Sequence, residues 1–179
     1  YIKITGITIT SSSTWGSAGI ELIGNNCIIY NNMLAGSGVA RGGATIYGMG
    51  IHGNNNLIDH NTVDGESTVN TSFFIVFSVN GTHNTFSNNV IKNILNVERI
   101  WDAGGDDTSN MSSDYTIIRG NEAYNITWDG GGGVHPDIFQ AVDHTTNTAN
   151  NWLLEKNYFH DIDSQIGIKP VSEKMKQVF

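Results

Sequence analysis

The chain has 179 residues, a length that suits one domain spanning 1–179 with its own core. Twenty-two asparagines, 21 glycines, two prolines and only 15% charged residues exclude an architecture of long helices, which draws on Lys, Glu, Leu and Ala. Nine Lys and Arg against 17 Asp and Glu leave a net charge of −8, which opposes the phosphate contacts of nucleic-acid binding, and no apolar run reaches the ~20 residues of a membrane span.

The chain opens on a strand pattern, ITGITI at 4–9, and then repeats it. IELIG (20–24), MGIHG (49–53) and FSVNG (77–81) each read apolar, any, apolar, any, Gly, the period of two of a strand with one buried face. A second pattern follows each of them: NCIIYNNML (26–34), NLIDHNTV (56–63) and NTFSNNVI (84–91), continued by YTIIRGNEA (115–123) and NWLLEKNYF (151–159). In all five an apolar residue stands three places before an asparagine: Ile29, Ile58, Phe86, Ile118 and Leu154 precede Asn32, Asn61, Asn89, Asn121 and Asn157. Successive asparagines are 29, 28, 32 and 36 residues apart, a period that belongs to solenoids. Stacked coils would set these asparagines over one another in a hydrogen-bonded ladder, with Gly and Asn at the corners where a left-handed backbone is needed.

The single cysteine, Cys27, allows no internal disulfide and reads as a buried free thiol. IGI at 166–168 extends the ladder, and from Ser172 a short helix is predicted, with Met175, Val178 and Phe179 capping the last coil. Tyr1 begins inside a strand, so the opposite end lacks a cap. A fragment of a longer chain, or a homo-oligomer joined through uncapped coil ends, is the expectation.

The stretches GIELIGNNCIIYNNML (19–34) and GMGIHGNNNLIDHNTV (48–63) resemble the right-handed parallel β-helix superfamily of pectate-lyase type, and weaker copies cover nearly the whole chain. The resemblance implies an all-β solenoid of about six coils. It further implies an extracellular protein, or one of a cell or virion surface, that handles polysaccharide. It is specific for architecture and weak for activity, because the superfamily holds lyases, hydrolases, epimerases, tailspikes and passive adhesins.

The last two intervals exceed the 28-residue coil by four and eight residues, and the titratable groups gather there. The strand pattern puts Glu21, Gly50, Ser78, Asp102 and Gln140 at one outward position in successive coils, which makes Asp102 and Gln140 neighbours. Arg99, Asp106 and Asp107 surround the first insertion, and Asp129, His135 and Asp137 the second. GGGGVHPDIFQ (130–140) resembles a His-x-Asp-x-x-Gln pattern of carbohydrate-processing β-helix proteins; a Pro-stiffened turn capped by Asp137 accounts for it equally well.

Glycoside hydrolysis needs two carboxyl groups, which Asp102 with Asp137 or Asp129 could supply. Elimination in an acidic sugar needs a charge neutraliser and a base, so Asp106 and Asp107 with Asp102 or Asp129 would hold Ca2+ while Arg99 or His135 takes the proton. A bound cation would also reconcile an acidic protein with an acidic glycan. Trp101 and Trp128 are candidates for stacking on sugar rings, with packing the alternative for each, and Gln140 for hydrogen bonding to the substrate. The expected function is a polysaccharide lyase or glycoside hydrolase with its groove over the fifth and sixth coils. The alternative is a non-catalytic glycan-binding or structural module of a spike, fibre or surface protein.

Overall fold

The computed structural model describes residues 1–10, 18–36, 46–66, 69–103, 113–127, 137–141, 150–163 and 167–170. Among them the chain is an all-β parallel solenoid without helix, and every strand pairing is parallel. The tail predicted to be helical, 172–179, lies outside the described residues.

Numbered in chain order, the strands fall on three sides. The first side is a six-stranded sheet of three-residue strands: β1 (Lys3–Thr5), β4 (Ile28–Tyr30), β7 (Leu57–Asp59), β10 (Thr85–Ser87), β12 (Ile117–Arg119) and β15 (Leu153–Glu155). The second side carries β2 (Thr8–Thr10), β5 (Met33–Ala35), β8 (Thr62–Asp64), the first half of β11 (Val90–Ala103), β13 (Glu122–Thr127) and β16 (Tyr158–Ile162). The third has β3 (Ala18–Ile23), β6 (Ile46–His52), β9 (Val69–Asn80), the second half of β11, β14 (Asp137–Ala141) and β17 (Gly167–Pro170). Registers are those of an in-line stack: Ile29, Ile58, Phe86, Ile118 and Leu154 are successive partners, each at most 6% exposed.

Corners are set by residues in the left-handed backbone region. Asn26, Asn31 and Gly36 occupy it in one winding; His83, Asn88 and Asn93, then Tyr115, Gly120 and Asn125, then Asn151, Lys156 and Asp161 do so in later ones. The spacing is five residues every time. Asn55 and His60 keep it too, and there Glu66 takes the third place one residue late. Asn and Gly adopt this conformation at little cost, whereas His83, Tyr115 and Lys156 are held in it by the stack.

Where it is described, the residue after a corner turns inward. Asn32 donates from its backbone N–H and from Nδ2 to Oδ1 of Asn61, both at 3.0 Å, and the same pair of bonds joins Asn61 to Asn89, Asn89 to Asn121 and Asn121 to Asn157. Each Nδ2 also donates to the preceding winding: Asn61 to the Ile29 carbonyl, Asn89 to Ile58 and Asn121 to Phe86. An amide carries an acceptor and two donors on one planar group, and these asparagines use all of them in the dry interior. A second, shorter ladder stands at the neighbouring corner, where the Cys27 N–H donates to Oδ1 of Asn56 and the Asn56 N–H to Oδ1 of Asn84. Cys27 is a buried free thiol, as expected.

At the same corner Gly53 and Gly81, with φ near +140°, let successive backbones approach closely. A Cβ on Gly53 would lie 2.1 Å from the Gly24 carbonyl oxygen, and one on Gly81 would lie 2.0 Å from that of Gly53.

Candidate functional site

The third side breaks the strand alternation. Ile100 and Trp101 are both fully buried in the core, as are Val76 and Phe77 on β9, and Ile138 with Phe139 on β14 repeats the pair. Two successive inward residues break the alternation of a regular strand, and they do so while Arg99 to Ala103 keep one register with β9. The residues flanking the pair, Arg99 and Asp102, therefore lie on the same outer side. They meet there, with Arg99 Nη1 3.3 Å from Asp102 Oδ1.

Across to β14, Arg99 is in register with Asp137 and Asp102 with Gln140. The neighbour relation expected of Asp102 and Gln140 is thus seen directly, and the outward column runs Glu21, Gly50, Ser78, Asp102, Gln140. At its open end Glu21 is half exposed, its carboxylate 3.7 Å from His52 Nε2. Further along the wall is closed from solvent: Ser78, Arg99, Asp102, Asp137 and Gln140 are 3%, 5%, 3%, 6% and 7% exposed.

Two carboxylates, a guanidinium and an amide on adjoining strands ~4.8 Å apart are a costly arrangement out of water. Packing alone would favour apolar side chains, as Ile75, the β9 residue in register with Arg99, shows. Gln140 Oε1 is buried with no hydrogen-bond partner among the described residues, an acceptor ready for a hydroxyl or amide donor. Arg99 is a permanent cation, which suits it to hold an anionic group rather than to accept a proton.

The lengthened connections adjoin this wall. Six residues carry the chain from Phe77 to the corner at His83, whereas fourteen separate its register partner Trp101 from Tyr115, and twelve separate Phe139 from Asn151. Asp106, Asp107, Trp128, Asp129 and His135 belong to segments outside the described residues. Trp101 corrects the expectation of sugar stacking. It is 0% exposed and stacks on Phe77 with ring centroids 5.5 Å apart, so its indole belongs to the core.

Among the described residues no three His, Cys, Asp or Glu converge as metal ligands. From the acidic set expected to hold Ca2+, only Asp102 is described, and its Oδ1 faces Arg99.

One surface group escaped sequence reasoning. On the second side Tyr124 is in register with His160, and Tyr158 with Glu122, which assembles a Tyr–His–Tyr stack beside two carboxylates. The ladder offset could have revealed it, because Tyr124 and His160 each stand three places after a ladder asparagine.

A comparison of the chain with family models, curated proteins and solved structures found no match.

Proposed function

We propose that the chain is a right-handed β-helix of pectate-lyase type, with six windings, and that its third side handles polysaccharide outside the cell or at a cell or virion surface. One observation carries this reading: the register that gathers Arg99, Asp102, Asp137 and Gln140 on one outer wall, where the connections lengthen. In the catalytic form of the proposal, Asp102 and Asp137 are the carboxyl pair of a glycoside hydrolase, one donating a proton to the leaving oxygen and the other activating water. Gln140 Oε1 accepts from a sugar hydroxyl. For an acidic sugar, Arg99 pairs with the uronate carboxylate, the neutralisation that elimination requires.

The near-complete burial of the four groups favours a second reading, in which the wall is a lock and the protein a non-catalytic glycan-binding or structural module. Product release and binding should be measured separately on a panel of neutral and acidic glycans, for the unaltered chain, Asp102→Asn, Asp137→Asn and His135→Ala, with thermal unfolding as the control for folding. The enzyme reading expects turnover that falls at least about 100-fold in a folded Asp102→Asn or Asp137→Asn protein. Binding without product by the unaltered chain would select the module. Neither binding nor product would remove the enzyme and the glycan-binding module and leave the structural one.

A further inference from the structure

On the outer face of the last described strand of the second side, β16, the His160 ring lies between two tyrosines. It stacks on Tyr124 of β13 at 5.0 Å between centroids and 10° between planes, and on Tyr158 of its own strand at 4.4 Å and 25°. Both ring nitrogens meet carboxylates. Nδ1 is 2.8 Å from Asp161 Oδ2, and Nε2 is 3.2 Å from Glu122 Oε1 across the strand pairing. A carboxylate only accepts, so both bonds form together only when both nitrogens carry hydrogen, that is, when the ring is an imidazolium. Two tyrosine faces around a cation add to the same preference.

We propose that the Tyr124–His160–Tyr158 stack is a pH-sensitive clasp that fastens β16 to the winding beneath it, closed when the imidazole is protonated and slack when it is neutral. The groups that face His160 are Tyr158 and Asp161 from its own strand and Glu122 and Tyr124 from β13; beyond Tyr124, Lys92 of β11 is tied to Asp64 at 3.2 Å. No cation stands against the ring among these neighbours, so every charge at the clasp favours the protonated form. In keeping with this, the hydrogen bond to Asp161, with that to Glu122 and the attraction of both carboxylates, holds the imidazole above its ordinary value of 6.5 against the opposing effect of burial. The sign follows by linkage. The clasp's contribution is present in full below about 6.5 and is lost as pH rises through the higher value of the folded state.

The location gives the clasp its consequence. Among the described residues β16 pairs with β13 alone, and Phe159 and Ile162 beneath it are only partly buried. Among the described residues this strand therefore has one attachment, to β13, and the clasp bears on that attachment.

The test is amide hydrogen exchange of the intact chain, normalised for intrinsic rates, from about pH 5 to about pH 8.5, with NMR titration of His160 alongside. Protection of 158–162 relative to Val90–Lys92, a strand segment flanked on both sides, is expected to fall several-fold as pH rises, at the midpoint of the His160 titration. His160→Phe keeps a ring in the stack and should make the ratio independent of pH. Glu122→Gln with Asp161→Asn keeps the ring and the histidine and should move the His160 midpoint down toward 6.5. Should His160→Phe not fold, this second variant decides. An unchanged midpoint in it, or a ratio indifferent to the His160 titration in the unaltered chain, would overturn the clasp.

Discussion

At the scale of single residues, the fold depends on amides that can give and accept in one plane. Asn61 accepts from the Asn32 N–H and Nδ2 and donates to the Ile29 carbonyl and Asn89 Oδ1 with no exposed surface of its own. Asn61→Ala strands a buried N–H and a carbonyl and is expected to cost about 2–4 kcal/mol, read from the urea midpoint. Asn157→Ala should cost less, because its place in the ladder is only part-buried and water can replace it. Glycines divide in the same way. Gly6→Ala, at φ +70° with nothing within 4 Å of the new Cβ, should lose only the left-handed preference, about 1–2 kcal/mol. Gly53→Ala drives a methyl into the Gly24 carbonyl and should reach or pass about 3 kcal/mol, measured the same way. The Asn ladder could be read from spacing because a buried stacked position tolerates few other side chains. The corners could be read in part: Asn and Gly were expected there and occupy many of them, but His83, Tyr115 and Lys156 serve too, and residue type alone does not reveal the backbone conformation.

At the scale of elements, β11 does two things in fourteen residues: it pairs on the second side with β8 and β13, then on the third with β9 and β14. The outward place of Asp102 and its match to Gln140 were visible as the recurring position between buried residues. The inward turn of Trp101 behind another inward residue, Ile100, was not, because a period of two has no room for such a pair. Nor does a period of two put Arg99 and Asp102 on one side, and their contact goes with the two inward residues that stand between them. Trp101 accordingly matters to stability and not to sugar contact. Trp101→Ala should lose about 3–5 kcal/mol by urea denaturation, and Trp101→Phe far less. A drop in glycan affinity by a folded Trp101→Phe protein would contradict that assignment.

At the scale of the molecule, acid should unfasten the corners before it reaches the core. Burial pushes the Asp59 carboxyl up, but hydrogen bonds from Ser87, Asn88 and His60 outweigh it and hold the group below the ordinary 3.8. Burial acts on Asp64 likewise and is outweighed by Asn93, the Glu66 N–H and Lys92. A group depressed by folding stabilises above its unfolded value, so both contributions are present above about 3.8 and fade as pH falls through the lower folded values. Melting temperature should therefore decline below that point, and Asp59→Asn with Asp64→Asn should flatten the decline; equal slopes with and without the substitutions would refute it. The solenoid was open to reading because one pattern recurs along the whole chain. The chemistry was less so, since it rests on a few side chains whose meeting depends on register and on a pair of consecutive inward residues.

The five-residue arms between corners have a further consequence. Among the described corners two sides of a winding hold to five residues, with Glu66 alone one residue late, and the larger variation in length is taken up on the third, as in a rack whose pitch stays constant whatever is hung from it. A winding copied whole and spliced in should lengthen the rod by ~4.8 Å and leave its cross-section alone. New binding surfaces can thus be grown along one edge of this molecule without retuning the beam that carries them.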